Sequence, residues 1–440
     1  MNESCLPSKY CTFILGPNSI FRLSAYFDNR GVALPRLQIA PVLMESTQLK
    51  ILIFAHIPPP LHGQSLMVER AVAALRERCG NNILHVDARW SDSLSEIGEG
   101  TWKKILRAAR YLISALRLRA TTSECLLYYV PGPVKWSALV RDWAILAVLR
   151  PVFSGTIFHW HAIGQGEWAH GSKRVRLSSR PWLEALARTA SRMILAKPRL
   201  SITVSDCSDL DAIAVGSNSI KIVPNGLVDP FNNDFEEFHT TRIAQYSPNR
   251  PRWLFLSRGN SEKGITDLLL ALIILAPIID PRVQISIRIA GGVEDDTRAE
   301  VDSLLERFER TEGHQLFTLE WIGFADDSSK EALWKSSDLL IYPSRWESFG
   351  LVLLEAMARG IPVLACDSDG ACGILGRDSP LLVATKDHQA LANRLHATLL
   401  DHNLEYIDTL GRSLRNRYLQ SFNLSDFEMR IGDAIKGLKN

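Results

Sequence analysis

The chain has 440 residues, of which 46% are apolar and 22% charged, a balance that is typical of a globular protein with two or three domains and excludes a disordered chain. No uncharged apolar run reaches about 18 residues and no basic start precedes an apolar core, so neither a membrane span nor a signal peptide is predicted. The seven cysteines are dispersed without a C-x-x-C pair, which favours reduced thiols in a cytoplasm and argues against a zinc site.

The net charge of +2 hides an uneven distribution. Between Thr101 and Leu200 the sequence has 17 Lys and Arg against 4 acidic residues, a net charge of +13, so the rest of the chain must carry −11 to give the total of +2. A basic segment in an otherwise acidic chain indicates that one domain faces an anionic partner.

Residues 1 to about 48 show no sustained hydrophobic period, and the first clear strand begins at Lys50. Met44 lies just before that strand. One hypothesis is that the natural protein starts at Met44, and the alternative is a genuine, poorly ordered N-terminal arm. The intact mass of the native protein would distinguish them.

Apolar runs alternate with helical stretches from Lys50 onwards. The first run, Lys50 to His56, is followed by a loop containing Gly63 and then by a predicted helix from Leu66 to Cys79. Alternation of this kind predicts a doubly wound parallel sheet. The loop after the first strand of such a sheet is a place for phosphate or sugar contact, although one glycine fits a proline-stiffened turn equally well.

The stretch Trp102 to Arg119 has no acidic residue, and its apolar residues recur at helical spacing. A basic amphipathic helix of this kind can lie on an anionic membrane. The alternative is a helix packed on its own sheet with a basic solvent face.

Two histidines, His159 and His161, end the predicted strand that begins at Thr156, and Gly164 follows them. Side chains at the carboxyl end of a parallel strand lie at the mouth of a cleft. His161 fits the position before the loop better than His159, and ordinary core or surface histidines are the alternative.

The second half of the chain opens with a strand followed by Arg258, Lys263 and Gly264, and then by a helix. Two cations beside a helix start suit a diphosphate group. A later strand ends in Gly323 and Phe324, so both residues are also expected at the sheet's carboxyl edge.

The stretch Leu339 to Cys366 predicts a strand, a polar loop, a helix and a second strand. Glu347 lies before the helix and Glu355 lies one turn inside it. The helix N-terminus favours a phosphate, Gly350 lets a ligand approach the backbone, and the two glutamates could accept hydrogen bonds from sugar and ribose hydroxyls. Each glutamate alone would more simply be a solvated surface residue.

The segment PSRWESFGLVLLEAMARGIPVLA resembles the E-x7-E signature of retaining glycosyltransferases of family 4, the group 1 glycosyltransferases, which have the GT-B fold. The resemblance covers the carboxylate spacing, the Pro-Ser before it, the Phe-Gly within it and the Ala-Met-Ala-x-Gly-x-Pro-Val after it. It extends over roughly Lys50 to Leu438 and implies an α/β protein with two Rossmann-like doubly wound domains that face a central cleft.

The resemblance also implies a division of the chain. The expected parts are an extension over residues 1–48, an acceptor-side domain over 49–235, a linker over 236–250, a nucleotide-sugar-binding domain over 251–422 and a helix over 423–440 that crosses back to the first domain.

Roles for individual residues follow from the same resemblance. It implies catalytic roles for Glu347 and His161, ribose binding by Glu355, and a place near the base for Gly323 and Phe324. The residues that it assigns to the donor diphosphate are Arg258, Lys263, Gly63, Phe349, Gly350 and Leu351. The family often has two glycines in the loop where this chain has only Gly63, which weakens that one assignment.

Asp367-Ser368-Asp369 has the D-x-D form that binds a metal and a nucleotide-sugar in the other major glycosyltransferase fold. Here it follows a different sheet position, and Arg258, Lys263 and a helix end already serve the phosphates. We therefore predict no metal site and no cofactor. Loss of activity on chelation would contradict this prediction.

The resemblance implies retaining transfer from a UDP- or GDP-sugar to a saccharide or lipid-linked acceptor in cell-surface polysaccharide or glycolipid synthesis. No nucleic acid is expected as a partner, while the basic 101–200 region is a candidate contact with an anionic membrane. The expected location is the cytoplasm, either free or at the inner face of the plasma membrane. Alternatives are a nucleotide-sugar 2-epimerase on the same fold, a two-lobed periplasmic binding protein and a catalytically silent scaffold.

Overall fold

The chain divides into two compact units, Met1–Leu49 and Lys50–Asn440. Met44, and with it the hypothesis about the natural start, lies outside the residues that the structure describes. This computed structural model describes residues 11–14, 20–27, 33–38, 49–60, 62–89, 102–231, 234–401 and 404–438.

The first unit contains three antiparallel strands in the order β1-β2-β3. Sequence analysis does not predict these strands. They are β1 (Cys11–Ile14), β2 (Ile20–Phe27) and β3 (Ala33–Gln38).

The second unit begins with a six-stranded parallel sheet in the spatial order β5-β4-β6-β7-β8-β9. Its strands are β4 (Lys50–Ala55), β5 (Ile83–Asp87), β6 (Cys125–Tyr129), β7 (Gly155–Trp160), β8 (Leu200–Thr203) and β9 (Ile220–Ile222). Its helices are α1 (Gly63–Cys79), α2 (Trp102–Ala120), α3 (Trp136–Leu149), α4 (Gln165–Ala169), α5 (Pro181–Leu195) and α6 (Leu210–Ala214).

A helix over residues 235–244 precedes a second six-stranded parallel sheet, in the order β12-β11-β10-β13-β14-β15. The strands are β10 (Arg252–Leu256), β11 (Ile285–Ala290), β12 (Phe317–Gly323), β13 (Leu339–Tyr342), β14 (Val363–Cys366) and β15 (Leu382–Val383). The helices are α7 (Phe235–Ala244), α8 (Ile265–Leu275), α9 (Asp295–Glu309), α10 (Asp327–Lys335), α11 (Leu351–Ala358), α12 (Asp369–Leu375), α13 (His388–Asp401), α14 (Leu404–Ser421) and α15 (Leu424–Lys436).

Each face of the second sheet has its own apolar core. Successive side chains of a strand point to opposite faces, and on β10 both sets are apolar. Trp253 and Phe255 pack into the core under α8, whereas Leu254 packs on the other side with Met357 of α11 and Tyr418 of α14. Strands buried on both faces are continuous apolar runs, which is why the sequence predicts them well.

The chain passes between the two domains twice, near Leu227 and near Phe422, and these two stretches lie side by side. The Leu227 N–H donates to the Phe422 carbonyl at 3.0 Å, and the Leu424 N–H donates to the Leu227 carbonyl at 2.8 Å. After this crossing, α15 packs on α1, and Arg78 of α1 pairs with Asp433 of α15 at 3.3 Å. The last helix of the chain therefore contacts the first domain.

The predicted fold class, α/β with two doubly wound parallel sheets, is confirmed. The start of α1 differs from the prediction by one turn, since this helix begins at Gly63 and not at Leu66. The His62 ring accepts the Ser65 N–H at 3.3 Å, and the Ser65 hydroxyl accepts the His62 N–H at 3.1 Å, so the pair caps the helix one turn earlier. Within the described part of the chain, we find no helix with both the length and the apolar character needed to span a bilayer.

Candidate active site

The order of strands places two loops of the second domain together. Strand order reverses between β10 and β13, so the connections leave these two neighbours in opposite directions and open a crevice at their carboxyl ends. The loop after β10 carries Lys263 and the loop after β13 carries Glu347. Lys263 Nζ lies 2.5 Å from Glu347 Oε2, so the structure brings these two predicted site residues into direct contact.

Glu347 has a second partner, the Tyr342 hydroxyl at the end of β13, which donates to the same Oε2 at 2.5 Å. Burial by itself would raise the pKa of Glu347. The Lys263 ammonium, the Tyr342 hydroxyl and the Phe349 N–H outweigh that effect and lower the pKa below its ordinary value. Glu347 is therefore a carboxylate anion held in place at the crevice.

Sequence reasoning missed Tyr342, which it treated only as the last apolar residue of a strand. Tyr342 is buried, and burial followed by the Glu347 charge raises the pKa of its hydroxyl. A buried tyrosine needs a hydrogen-bond partner for its hydroxyl, and a tyrosine that ends a strand beside a polar loop is the signal that could have identified it.

Arg258 lies apart from the Lys263–Glu347 pair. Its side chain is mostly exposed, and its guanidinium donates to Glu294 Oε1 at 2.9 Å. It faces the first domain closely enough to affect His62, because burial and then the Arg258 charge lower the pKa of that histidine. Arg258 thus contributes positive charge to the crevice from its rim.

The N-terminus of α11 is open to a ligand. Gly350 caps this helix with φ +93°, a left-handed conformation that favours glycine, and among the described residues no side-chain hydrogen bond caps the helix start. Phe349 is buried, with its ring centroid 6.1 Å from that of Phe422, which fixes the loop before the cap. A helix start with unused N–H groups has a partial positive charge and can bind an anion.

Glu355 lies one turn further along α11 and faces a different part of the interdomain space. Its carboxylate pairs with Lys330 Nζ at 2.8 Å, a partner from α10 that sequence analysis did not find. Both residues line a cavity of about 350 Å³ between the two domains, with Leu66 and Met67 of α1 on the opposite wall.

The start of α1 forms the wall opposite the open N-terminus of α11. A Cβ atom at Gly63 would lie 3.1 Å from the Leu351 side chain, so the two domains are already in contact at this point. A larger residue at Gly63 would require the Leu351 side chain to shift.

His161 is the residue that follows β7. Its side chain is buried, and its Nε2 has no hydrogen-bond partner among the described residues. Burial and then the neighbouring His62 lower its pKa to about 3, so the ring is neutral. His159, the alternative from sequence, lies beside it, with ring centroids 4.0 Å apart and ring planes tilted by 46°, and its Nδ1 is hydrogen-bonded to the Tyr128 hydroxyl. His159 Nε2 also has no hydrogen-bond partner among the described residues, so both rings keep a nitrogen available, and His161 is the less buried of the two.

His56 and His62 form a pair that sequence reasoning did not find. Their Nε2 atoms lie 3.0 Å apart. Since His62 Nδ1 accepts the Ser65 N–H, the neutral His62 ring carries its proton on Nε2 and donates it to His56. Burial and then His62 lower the pKa of His56 to about 4, so both rings are neutral near pH 7.

Gly323 and Phe324 lie at the edge of the second sheet, since β12 is its outermost strand on that side. Gly323 has φ +70°, and its carbonyl accepts the Gly291 N–H at 2.6 Å. The Phe324 ring is 84% exposed. The structure therefore leaves this ring free to stack on a planar group and does not pack it against the glutamates.

The D-x-D carboxylates have protein partners. Asp367 accepts the Thr385 N–H at 2.8 Å, and Asp369 pairs across the cleft with Arg174 of the first domain at 2.8 Å. Arg174 also lies over the Trp346 ring, 5.0 Å from its centroid. Among the residues that the structure describes, no three His, Cys, Asp or Glu side chains are grouped so that they could hold a metal ion.

Residues 240–412 match the family model described as glycosyl transferases group 1. A phosphatidyl-myo-inositol mannosyltransferase of Mycobacterium leprae is 35% identical over 228 residues, which cover 50% of this chain and 55% of that protein. The chain spans about half the length of the curated relatives of this kind that it matches. An O-antigen chain mannosyltransferase B of Escherichia coli is 25% identical over 392 residues, which cover 81% of this chain and 93% of the relative.

Solved structures show the fold. Sucrose-phosphate synthase from Thermosynechococcus elongatus superposes with a TM-score of 0.62 at 18% identity, over 88% of this chain and 99% of that chain. Anabaena Alr3699/HepE in complex with UDP and glucose superposes with a TM-score of 0.59 at 18% identity, over the same shares of the two chains. The two-domain architecture of this chain is therefore the GT-B fold.

Proposed function

We propose that the chain, whose residues 240–412 match the group 1 glycosyl transferases, is a member of that family and transfers a hexosyl group from a nucleoside diphosphate sugar to a saccharide or lipid-linked acceptor with retained anomeric configuration. The observation that carries this proposal is the half-buried Lys263–Glu347 pair beside the open N-terminus of α11. A cation, a carboxylate and free N–H groups at one crevice suit a diphosphate joined to a sugar.

The donor diphosphate lies against the N–H groups of Gly350 and Leu351, with Lys263 and Arg258 supplying positive charge. Negative charge grows on this diphosphate as the glycosidic bond to its oxygen breaks. Donors that are already in place stabilise that developing charge without reorganisation, which lowers the barrier. Gly63 allows the opposite wall to approach the same phosphates.

Glu347 holds the donor sugar. Its Oε2 already accepts from Lys263 and Tyr342, so Oε1 is the oxygen that receives a sugar hydroxyl. Its negative charge also stabilises the oxocarbenium-like state. The new bond forms from the acceptor oxygen to the anomeric carbon on the face that the diphosphate leaves, and the acceptor's proton passes to a phosphate oxygen. The neutral His161 orients the sugar through its free Nε2.

Glu355 binds the ribose hydroxyls, and Lys330 moves aside or shares the carboxylate when it does so. Phe324 and Gly323 receive the base, for which the exposed ring offers a stacking surface. The cations and the helix end supply the positive charge, so we propose that turnover needs neither a metal ion nor another cofactor.

The acceptor is proposed to be a glycolipid or a cell-surface polysaccharide precursor. The names of the relatives support this choice, since one is a phosphatidyl-myo-inositol mannosyltransferase and another an O-antigen chain mannosyltransferase. The basic segment 101–200 supports work at an anionic membrane surface, with α2 exposing Arg110 and Arg117. We place the protein in the cytoplasm, at the inner face of the plasma membrane.

The proposal is tested with a panel of UDP- and GDP-sugars. We expect one donor to raise the melting temperature, and the same donor to give a glycosylated product with a lipid-linked acceptor, with the anomeric configuration retained by NMR. Epimerisation of the donor sugar without any acceptor would establish the 2-epimerase reaction instead. The absence of a thermal shift with every donor would contradict the proposal as a whole.

A further inference from the structure

The outer surface of the first domain exposes large apolar side chains on three neighbouring helices. α3 packs between α2 and α5 on one side of the first sheet. The Trp143 indole N–H of α3 donates to the Ser191 hydroxyl of α5 at 2.9 Å, which joins two of these helices directly. Their outward stripes therefore lie next to one another.

α3 is apolar on both sides. Its inner stripe includes Leu139 and Leu146, which are fully buried, while Trp136, Val140 and Val148 are exposed. A helix that is apolar all round normally lies inside a protein or against another apolar phase. Only one of its sides is covered by this chain's described residues.

The charged residues of α3 do not protect its outward stripe. Arg141 and Asp142 pair with each other at 2.7 Å, and the carboxylate is fully buried, where it also accepts the Tyr129 hydroxyl at 2.7 Å. Both charges are thus used within the domain.

α5 continues the apolar surface. Trp182, Leu186 and Met193 are four and seven residues apart, which places them on one helical side, and they are 64%, 61% and 74% exposed. The helix's carboxylate, Glu184, points inward and accepts from the Trp168 indole at 2.6 Å and from Arg188 at 3.0 Å.

The exposed charges that the structure describes on α2, α3 and α5 are all positive. Asp142 and Glu184 are the only carboxylates on α2, α3 and α5, and both are turned inward. Arg110, Arg117 and Arg192 are exposed at the rim. We call the exposed side chains of α3 and α5, together with these three arginines, the α3–α5 face.

We propose that the α3–α5 face docks on an anionic lipid bilayer, with Trp182, Leu186 and Met193 entering the headgroup region. Tryptophan and arginine are suited to this boundary, where one part of the side chain is apolar and the other is polar or charged. A second copy of the chain fits less well, because self-association would bring like charges together. This inference rests on the proposed function and names the surface that meets the acceptor's membrane.

The test is cosedimentation of the full chain with vesicles of phosphatidylcholine alone and of phosphatidylcholine mixed with phosphatidylglycerol. We expect the double variant Leu186→Gln/Met193→Gln to lower partitioning onto the mixed vesicles by about tenfold or more, because apolar area no longer leaves water. The matched control is Leu400→Gln/Met429→Gln, which removes exposed side chains of the same types from α13 and α15, outside the α3–α5 face. It should bind as wild type does.

The rim is tested with Arg110→Gln/Arg117→Gln, which we expect to lower binding to the mixed vesicles about fivefold per arginine at low salt, and less at high salt. Binding to phosphatidylcholine vesicles should be weak for every form.

The docking proposal is overturned if the wild-type chain does not bind mixed vesicles, or if the face variant and the control variant lose binding equally. It is also overturned if sedimentation velocity shows a dimer that only the face variant dissociates, since the face would then be a contact between two copies. Donor-induced thermal shifts are measured on the same samples. A normal shift with no vesicle binding refutes docking alone and leaves the glycosyl transfer proposal standing.

Discussion

The hydroxyl of Tyr342 offers a sharp test of how the site works. The variant Tyr342→Phe removes one oxygen and keeps the ring in its buried place at the end of β13. What is lost is the 2.5 Å hydrogen bond to Glu347 Oε2, while the bond from Lys263 remains. Any change in turnover therefore reports on how one donor holds one carboxylate.

The size of the effect follows from the charge on the acceptor. A hydrogen bond to a charged group contributes about 1.5–3 kcal/mol, and full loss of such a bond in the transition state would lower kcat/KM roughly ten- to a hundredfold. Because Lys263 still contacts the same oxygen, we expect a loss near the lower end, about tenfold at neutral pH.

The pH profile gives a second, independent sign. The pKa of Glu347 is lowered in the folded protein, so the carboxylate stays ionised until the pH falls through that lowered value. Removing the Tyr342 donor raises the folded-state pKa, so the acid limb of kcat/KM should move to higher pH. A side chain that only filled space would reduce activity without moving this limb.

The assay is product formation against pH, with circular dichroism melting to check the fold. The matched control is Tyr418→Phe, which also removes a buried hydroxyl from the second domain, there bonded to the Leu227 carbonyl at 2.9 Å. The control should keep the wild-type acid limb. An unchanged kcat/KM and an unmoved limb in Tyr342→Phe would refute the reasoning.

The remaining predictions concern the two carboxylates and the cleft. Glu347→Ala should lower kcat by about a hundredfold or more while the melting temperature stays close to wild type, and near wild-type turnover would defeat its assignment. Glu355→Gln should raise the donor KM about tenfold with a smaller change in kcat, as measured by initial rates, because a charge-assisted bond to ribose is weakened. Arg174→Ala should weaken donor binding by a few-fold, since it breaks the 2.8 Å bridge to Asp369. Isothermal titration with the donor would measure this change in Kd. Dialysis against chelator should leave the turnover rate unchanged, and a full loss that Mg²⁺ restores would overturn metal independence.

The fold was predictable because its signals are local. β4, β6, β10 and β13 are continuous apolar runs, and the helices between them have clear periods and ends. Once the alternation of strands and helices is recognised, the parallel sheet follows from general rules of connection. The contact between Lys263 and Glu347 follows as well, since both residues leave neighbouring strands where the strand order reverses.

The partners of the site residues could not be predicted in this way. Lys330 reaches Glu355 from another helix, and Glu294 reaches Arg258 from a different loop, so each pairing depends on how separate elements pack. Periodicity carries no information about such distances. The roles proposed for these residues therefore stay predictions, to be decided by the variants above.

α3 shows a different limit of sequence reasoning. Its sequence is typical of a fully buried helix, because apolar residues lie on all sides of the helix and its two charged residues are adjacent. The structure covers one side only and exposes Trp136 and Val140. The sequence assigned the membrane contact to α2, because its regularly spaced basic residues indicate a solvent-exposed side. α3 has no such pattern of charges, so its exposed side could not be recognised from the sequence.

The two lysine–carboxylate pairs suggest how donor binding changes the site's charge. Without a donor, Lys263 neutralises Glu347 and Lys330 neutralises Glu355, so two buried or half-buried anions are stabilised by protein cations. A diphosphate that enters brings negative charge to Lys263, and a ribose brings hydroxyl donors to Glu355. Each lysine can then turn toward phosphate or solvent while its glutamate is satisfied by the ligand, and no buried charge is left unpaired at any stage. Donor affinity should consequently depend on salt less steeply than the number of cations in the crevice implies, because part of the positive charge is already neutralised before the donor arrives.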